Sequence, residues 1–105
     1  AGVRFTAVAA PGHTPGSVLW RLALPEPFAQ APELTELVFT GDVVFAGSIG
    51  RTDLPGGDQQ TMLATLADVV LALPDAAALL PGHGPETTMA HERATSPYLH
   101  DDYLR

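Results

Sequence analysis

The chain lacks cysteine and lysine, and both absences limit what it can do. With no cysteine among its 105 residues, it has no disulfide, no thiolate metal ligand and no cysteine nucleophile. Twelve acidic residues stand against five arginines, so the formal net charge is −7. Nucleic acids and anionic membranes bind clustered positive charge, so neither is expected as a partner.

Long apolar runs are also missing. No stretch approaches the roughly 20 apolar residues of a membrane span, and no charged-then-apolar segment opens the chain. We therefore expect a cytoplasmic protein. The apolar fraction is 46% and the charged fraction 16%, which together favour a globular fold over disorder. At this length the chain is expected to form one domain at most.

Four apolar segments bounded by proline and glycine predict β-strands. They are Val3–Val8, Ser17–Leu24, Leu37–Thr40 and Ala76–Leu80. Val43–Phe45 is predicted to extend the third strand briefly. The stretch Pro25–Glu36 is rich in proline and glutamate, which predicts a solvated insertion. Ser17–Leu24 is apolar on both faces, a pattern typical of a strand buried on both sides.

Two helices are predicted in the second half of the chain. Apolar side chains recur at helical spacing and predict an amphipathic helix over Asp58–Leu73. The carboxylate of Asp58 can accept the free amides of the first turn. A short last helix, capped by Thr87 or Thr88, is predicted through Ala94.

One pattern occurs three times in the sequence. An apolar strand runs into small residues, and an ionisable side chain follows at the exit, at His13, Asp42 and His83. Functional groups gather at strand ends, because the sheet is rigid while the following loop can aim side chains. Imidazole and carboxylate both bind zinc, and the two oxygens of a carboxylate allow Asp42 to bridge two metals. Taken singly, each is compatible with a solvated turn residue, but the repetition favours three ligands of one metal centre.

Four motifs follow one another along the chain. They are Pro-Gly-His13-Thr-Pro-Gly-Ser, Phe-Thr-Gly-Asp42, Gly50-Arg-Thr-Asp-Leu-Pro-Gly-Gly-Asp58 and Pro-Gly-His83-Gly-Pro-Glu-Thr-Thr. In this order they resemble the motifs of the metallo-β-lactamase-fold superfamily. Within the superfamily the chain is most similar to glyoxalase II-like thioester hydrolases, from about Val3 to Leu99. The resemblance implies an α+β fold, the C-terminal half of an αββα sandwich, in which a mixed β-sheet carries two helices on one face.

The resemblance also implies roles for individual side chains. The residue matching His13 completes the first metal's histidine set, Asp42 bridges both metals, and His83 completes the second site. Two Zn²⁺ ions per complete domain are implied, with iron or manganese as alternatives. A metal-bound hydroxide would attack a small-molecule thioester such as an acyl-glutathione, which makes Asp42 catalytic. Arg51 and Asp53 are candidates to bind substrate; the alternative is a local ion pair that orders their glycine-rich loop.

One motif of the family is missing. The His-x-His-x-Asp-His segment that precedes the first motif in the family does not occur in residues 1–105, and His91 and His100 fit no ligand pattern. Each metal then keeps one histidine and a share of Asp42, fewer than the four ligands that zinc usually takes. The chain alone is therefore expected to be inactive and to need a missing N-terminal half or a second copy of itself.

Two other interpretations stay open. Persulfide dioxygenases use the same fold with one iron, and their Gly-Arg-Thr-Asp segment is similar to Gly50–Asp53. Two histidines and one carboxylate are also the ligands of a non-haem iron site. A non-enzymatic half that serves as an assembly or binding element is the third hypothesis. The segment around His83 favours the hydrolase.

Overall fold

The computed structural model describes residues 4–104, so Val3, at the start of the first predicted strand, lies outside the described residues. Within this range the strands are β1 (Phe5–Ala9), β2 (Val18–Ala23), β3 (Glu36–Gly41), β4 (Val44–Phe45), β5 (Ser48–Ile49), β6 (Ala77–Pro81) and β7 (Thr87–Thr88). The helical elements are α1 (Gln59–Thr65), a π-helical continuation (Leu66–Val70), α2 (Met89–Thr95), a 3₁₀ turn (Pro97–Leu99) and α3 (Asp101–Leu104). The predicted α+β class is confirmed.

Among the described residues, five strands form one mixed sheet in the order β1-β2-β3-β6-β7. The β1–β2, β2–β3 and β6–β7 pairs are antiparallel, whereas β3 and β6 are parallel. A parallel pair needs a crossover connection, and the chain between β3 and β6 supplies it with α1. The strands β1, β3 and β6 therefore run in the same direction, and their C-terminal ends lie at one edge of the sheet.

The prediction that Val43–Phe45 extends the third strand was wrong. Gly41 ends β3 with a φ of +52°, a conformation that glycine adopts without strain. The chain then turns away from the sheet, and β4 pairs with β5 as a separate antiparallel hairpin. A second short strand, β5, therefore follows Phe45 and completes this hairpin.

The core lies between one face of the sheet and the helices. Its strand residues alternate with those of the opposite face, and its helix residues follow the predicted stripe. Leu19, Val38, Leu79, Met62, Leu66, Val70 and Met89 are all at most 1% exposed. The prediction of helices packed on one face of the sheet is confirmed, and Leu66 and Val70 are turned towards that face.

The predicted helix caps are present, but the first helix is less regular than its pattern indicates. The Asp58 carboxylate accepts from the amides two and three residues further on, at 3.0 and 3.3 Å. The Thr88 hydroxyl caps α2 by accepting an amide at 3.1 Å. The regular helix ends at Thr65 and continues with π-helical geometry only to Val70. No helix in the described part of the chain has the length and apolar character to cross a membrane.

The predicted insertion is largely exposed, and Ala31, Leu34 and Glu36 are partly buried. Glu36 belongs to β3, and its carboxylate accepts two hydrogen bonds from Arg21 at 2.7 and 2.8 Å. This ion pair connects β2 with β3 across the loop that the insertion forms. The boundary of the solvated segment therefore lies one residue earlier than predicted.

The second face of the sheet is apolar and open. Phe5, Trp20 and Phe39 lie on this face and are 51%, 47% and 38% exposed. They line a shallow depression of about 440 Å³, in which the rings of Phe5 and Phe39 lie 6.0 Å apart. One apolar face of β2 is therefore buried under the helices, whereas the other is exposed.

Candidate metal centre

His13 is presented by a loop that packs tightly on α1. At Gly12, φ is +142° and an added Cβ would lie 2.6 Å from the Cα of Met62, so the close approach requires glycine. The His13 Nδ1 lies 2.8 Å from the carbonyl oxygen of Arg51. Because a carbonyl only accepts, this contact places the proton on Nδ1 and leaves the Nε2 lone pair free.

Asp42 lies between the two histidines. Its Oδ2 is 3.6 Å from Nε2 of His13, and its Oδ1 is 2.9 Å from Nδ1 of His83. The side chain of Asp42 is 41% exposed, that of His13 21% and that of His83 79%. Each oxygen of the carboxylate therefore faces a different histidine.

The structure brings the three predicted ligands together, because the strands that carry them end at the same sheet edge. Two imidazoles and a carboxylate are donor types that zinc and iron take. In residues 4–104, however, no group of three or more histidine, aspartate or glutamate side chains is arranged so that it could hold a metal ion. The carboxylate instead contacts each histidine directly, one on each oxygen. These donors fit two adjacent, incomplete metal sites better than one closed site. That the three side chains bind metal stays a prediction.

The three side chains line a cleft of about 310 Å³. Its other lining residues are Phe45, Ile49, Gly50 and Arg51. The Phe45 ring meets the His83 ring edge-on, with centroids 6.2 Å apart. A Cβ added to Gly50 would lie 1.8 Å from the main-chain oxygen of Asp42, so the chain directly after β5 packs against the main chain of Asp42. The sequence analysis did not predict Ile49 and Gly50 as residues of the site. Gly50 is the first residue of the third motif, and this was the signal that could have indicated it.

Arg51 and Asp53 form an exposed, two-pronged ion pair beside this cleft. The Arg51 Nε and Nη2 atoms donate to the two Asp53 oxygens at 2.8 Å each. These hydrogen bonds lower the pKa of the Asp53 carboxyl to about 2 and raise the pKa of Arg51. The geometry is that of a local ion pair, and it is the Arg51 carbonyl that contacts His13. Substrate binding by either side chain stays a prediction.

The pKa of Asp53 provides a direct check of this ion pair. A carboxyl with a pKa lowered in the folded chain favours folding above its unfolded pKa of about 3.9, and the contribution is lost as pH falls through about 2. Carboxyl-detected NMR titration should give a midpoint of about 2 for Asp53. Arg51→Ala should return it towards 3.9, whereas Arg93→Ala, which breaks a separate pair with Asp75, should not. An unchanged midpoint in Arg51→Ala would contradict the assignment.

The remaining histidines lie outside the cleft. His91 is exposed on α2, and the His100 Nε2 lies 3.3 Å from the carbonyl oxygen of Arg93. The cleft is lined by neither residue. Their placement agrees with the expectation that they are not ligands.

Comparison with known proteins gives matches over most of the chain. The family model described as the metallo-beta-lactamase superfamily matches residues 30–83. The chain is 43% identical over 89 residues to the probable metallo-hydrolase YqgX of Bacillus subtilis, which covers 85% of this chain and 37% of that protein. It is 37% identical over 98 residues to the hydroxyacylglutathione hydrolase GloC of Haemophilus influenzae, which covers 93% of this chain and 42% of that protein.

A solved structure is similar in both sequence and fold. TTHA1623, determined in a di-iron-bound form, is 39% identical and superposes with a TM-score of 0.71. The match covers 90% of this chain and 42% of that chain. The chain thus spans about two fifths of the length of the relatives that it matches.

Proposed function

The chain belongs to the metallo-β-lactamase superfamily, and we propose that it forms one half of a metal-dependent hydrolase that cleaves a thioester such as an acyl-glutathione. The observation that carries the proposal is the Asp42 carboxylate, with one oxygen towards His13 and the other towards His83. The similarity to a hydroxyacylglutathione hydrolase supports the thioester substrate. When bound, the metal ions supply an acidified water as nucleophile and a Lewis acid for the carbonyl.

The residues of this chain would hold the metal ions and orient their own side chains towards them. His13 would bind through Nε2, because its Nδ1 proton is engaged by the Arg51 carbonyl. His83 would bind at the other oxygen of Asp42, on the side that the Phe45 ring borders. Phe45 and Ile49 make this wall of the cleft apolar.

The proposed metal is zinc, with two ions per complete domain. Imidazole and carboxylate both bind zinc well, and the chain has no thiolate that would select a softer metal. Iron and manganese are the alternatives, and the di-iron form of TTHA1623 supports iron. Metal analysis of the purified protein distinguishes these ions directly.

An oxygenase with one iron is the second candidate function. Two histidines and a carboxylate are the ligands of a mononuclear non-haem iron centre, and these are the donors that meet at Asp42. One iron per chain, together with oxygen consumption on a persulfide, would favour this candidate. Two zinc ions and thioester cleavage would favour the hydrolase.

We also propose that the open sheet face binds a partner, either the part of the domain that the longer relatives possess or a second copy of this chain. Monomers seldom expose apolar patches larger than about 300–600 Å². The three aromatic rings of this face lie side by side and carry no charge. The third hypothesis is an assembly element without activity, which would bind its partner through the same face. The activity assay described next distinguishes this hypothesis from the hydrolase.

A chimera tests the hydrolase proposal. In the Haemophilus hydrolase, residues 4–104 of this chain would replace the two fifths that they match. We expect the chimera to bind zinc and to hydrolyse an acyl-glutathione, whereas the isolated chain should turn it over poorly or not at all. A chimera that folds and binds metal but leaves the thioester intact would overturn the proposed substrate.

A further inference from the structure

Glu92 is a buried carboxylate that the proposed chemistry does not use. It lies on α2 and is 1% exposed, among the least accessible side chains described. Removing a carboxylate from water is costly unless hydrogen bonds replace its hydration. Its Oε1 accepts from the amide of Gly47 at 2.7 Å, and its Oε2 accepts from the hydroxyl of Thr87 at 2.8 Å. Both hydrogen bonds end on a charged acceptor, which makes them stronger than neutral ones.

The two partners of Glu92 lie on the two segments that follow Asp42 and His83. Gly47, with a φ of +76°, forms the tip of the β4–β5 hairpin, which begins directly after Asp42 and Val43. Thr87 opens β7, the strand that follows the His83 loop. One side chain therefore connects the chain downstream of one candidate ligand with the chain downstream of the other.

The hairpin transmits its position to the site through short contacts. The amide of Gly50, directly after β5, donates to the carbonyl of Val43 at 2.9 Å. Gly50 also packs on Asp42 so closely that a Cβ would overlap its carbonyl oxygen. From the same hairpin, Phe45 borders the ring of His83. A shift of the hairpin would therefore move one wall of the cleft and the main chain at Asp42 together.

Direct attraction between Asp42 and His83 does not account for their 2.9 Å contact. The two side chains are 41% and 79% exposed, and exposed ion pairs contribute little to holding a structure together. The hydrogen bonds of Glu92 are partly buried, so water weakens them less. The main chain joins the two segments directly, since the amide of Gly82 donates to the carbonyl of Gly41 at 2.8 Å, one residue before each ligand. Glu92 adds a second connection further along both segments.

We infer that Glu92 is a positioning residue of the proposed metal centre. By binding Gly47 with one oxygen and Thr87 with the other, it fixes the tip of the β4–β5 hairpin against β7 and so restricts the orientation of the Asp42 and His83 side chains. The inference rests on the proposed metal centre, but its geometric content concerns the metal-free chain as well.

The test compares Glu92→Leu with Glu92→Gln in the 105-residue chain. Leucine removes both acceptors, whereas the glutamine oxygen can still accept from Gly47 and its amide can donate to the Thr87 hydroxyl. In ¹⁵N-histidine NMR without metal, the Nδ1 signal of His83 should lose its hydrogen-bonded shift in Glu92→Leu and keep it in Glu92→Gln. Zinc affinity should fall about 10–100-fold in the leucine variant and remain within about threefold in the glutamine variant.

Two further variants keep the inference falsifiable. Leu66→Ala destabilises the core at a residue that does not line the cleft, and it should leave the His83 signal unchanged. An equal change there would reduce Glu92 to a general structural role. If Glu92→Leu does not fold, Thr87→Val removes only one donor to the carboxylate and should shift the His83 signal in the same direction. A His83 signal that is unchanged in folded Glu92→Leu, or in Thr87→Val where the leucine variant does not fold, would overturn the inference. Because this readout uses neither metal nor substrate, failure of the hydrolase proposal would be recognised separately.

Discussion

Replacing Asp42 with alanine should abolish detectable zinc binding by this chain and lower kcat/KM of the chimera by more than about 100-fold. Loss of a residue that only orients a ligand typically costs about 10–100-fold, and loss of a ligand shared by two metals should cost more. His13 and His83 each have their contact with an opposite oxygen of this one carboxylate. Its removal therefore affects both proposed sites at once.

The matched control for this substitution is Asp53→Ala. Asp53 is also an exposed aspartate in the same region, but its carboxylate is directed at Arg51 and does not line the cleft. Zinc titration against a competing chelator should give wild-type affinity for Asp53→Ala, with circular dichroism verifying that both variants fold. Equal losses in the two variants would argue against Asp42 as a bridging ligand.

The isolated 105-residue chain should self-associate through the open face of its sheet, and Trp20→Gln should weaken that association by roughly 30-fold or more. Truncating a central interface tryptophan commonly costs about 2 kcal/mol or more, which corresponds to that factor. Trp20 on β2 pairs with Phe39 on the neighbouring strand β3, and both residues are more than a third exposed. Two copies could bury these rings against each other.

Sedimentation velocity over a range of concentrations measures this association. Since each copy carries a formal net charge of −7, association should strengthen with salt, which screens the repulsion beyond about 8 Å at physiological ionic strength. Leu54→Ser is the matched control, because Leu54 is 48% exposed but lies in the loop before α1. A chain that stays monomeric at all concentrations and salt levels would mean that the exposed face needs no partner.

Local sequence patterns predicted most secondary structure elements because they depend on neighbouring residues. Alternating apolar residues indicated β1, a continuous apolar segment indicated β2, and glycine and proline marked where the strands end. The caps at Asp58 and Thr88 were predictable, since a side-chain oxygen just before a helix has the free amides within reach. The same patterns could not separate β4 from β3, because that depends on which strand the segment pairs with after Gly41.

Glu92 illustrates the opposite case. In the sequence it is one charged residue of a short, polar helix, a pattern that favours exposure to solvent. Its burial depends on Gly47, which lies 45 positions away, and on where the hairpin lies against α2. Contacts at such separations leave no periodicity in the sequence, so only the folded chain reveals them.

The sequence by itself determined the class of the fold, the donor types at His13, Asp42 and His83, and the resemblance of its motifs to a metallohydrolase family. Only the tertiary structure decided that the two oxygens of Asp42 face different histidines and that one apolar face of β2 is covered while the other is open. The reason is physical. Residue type and local spacing set the chemistry and the backbone conformation of each segment, whereas distances between segments depend on strand pairing and helix packing across the whole chain.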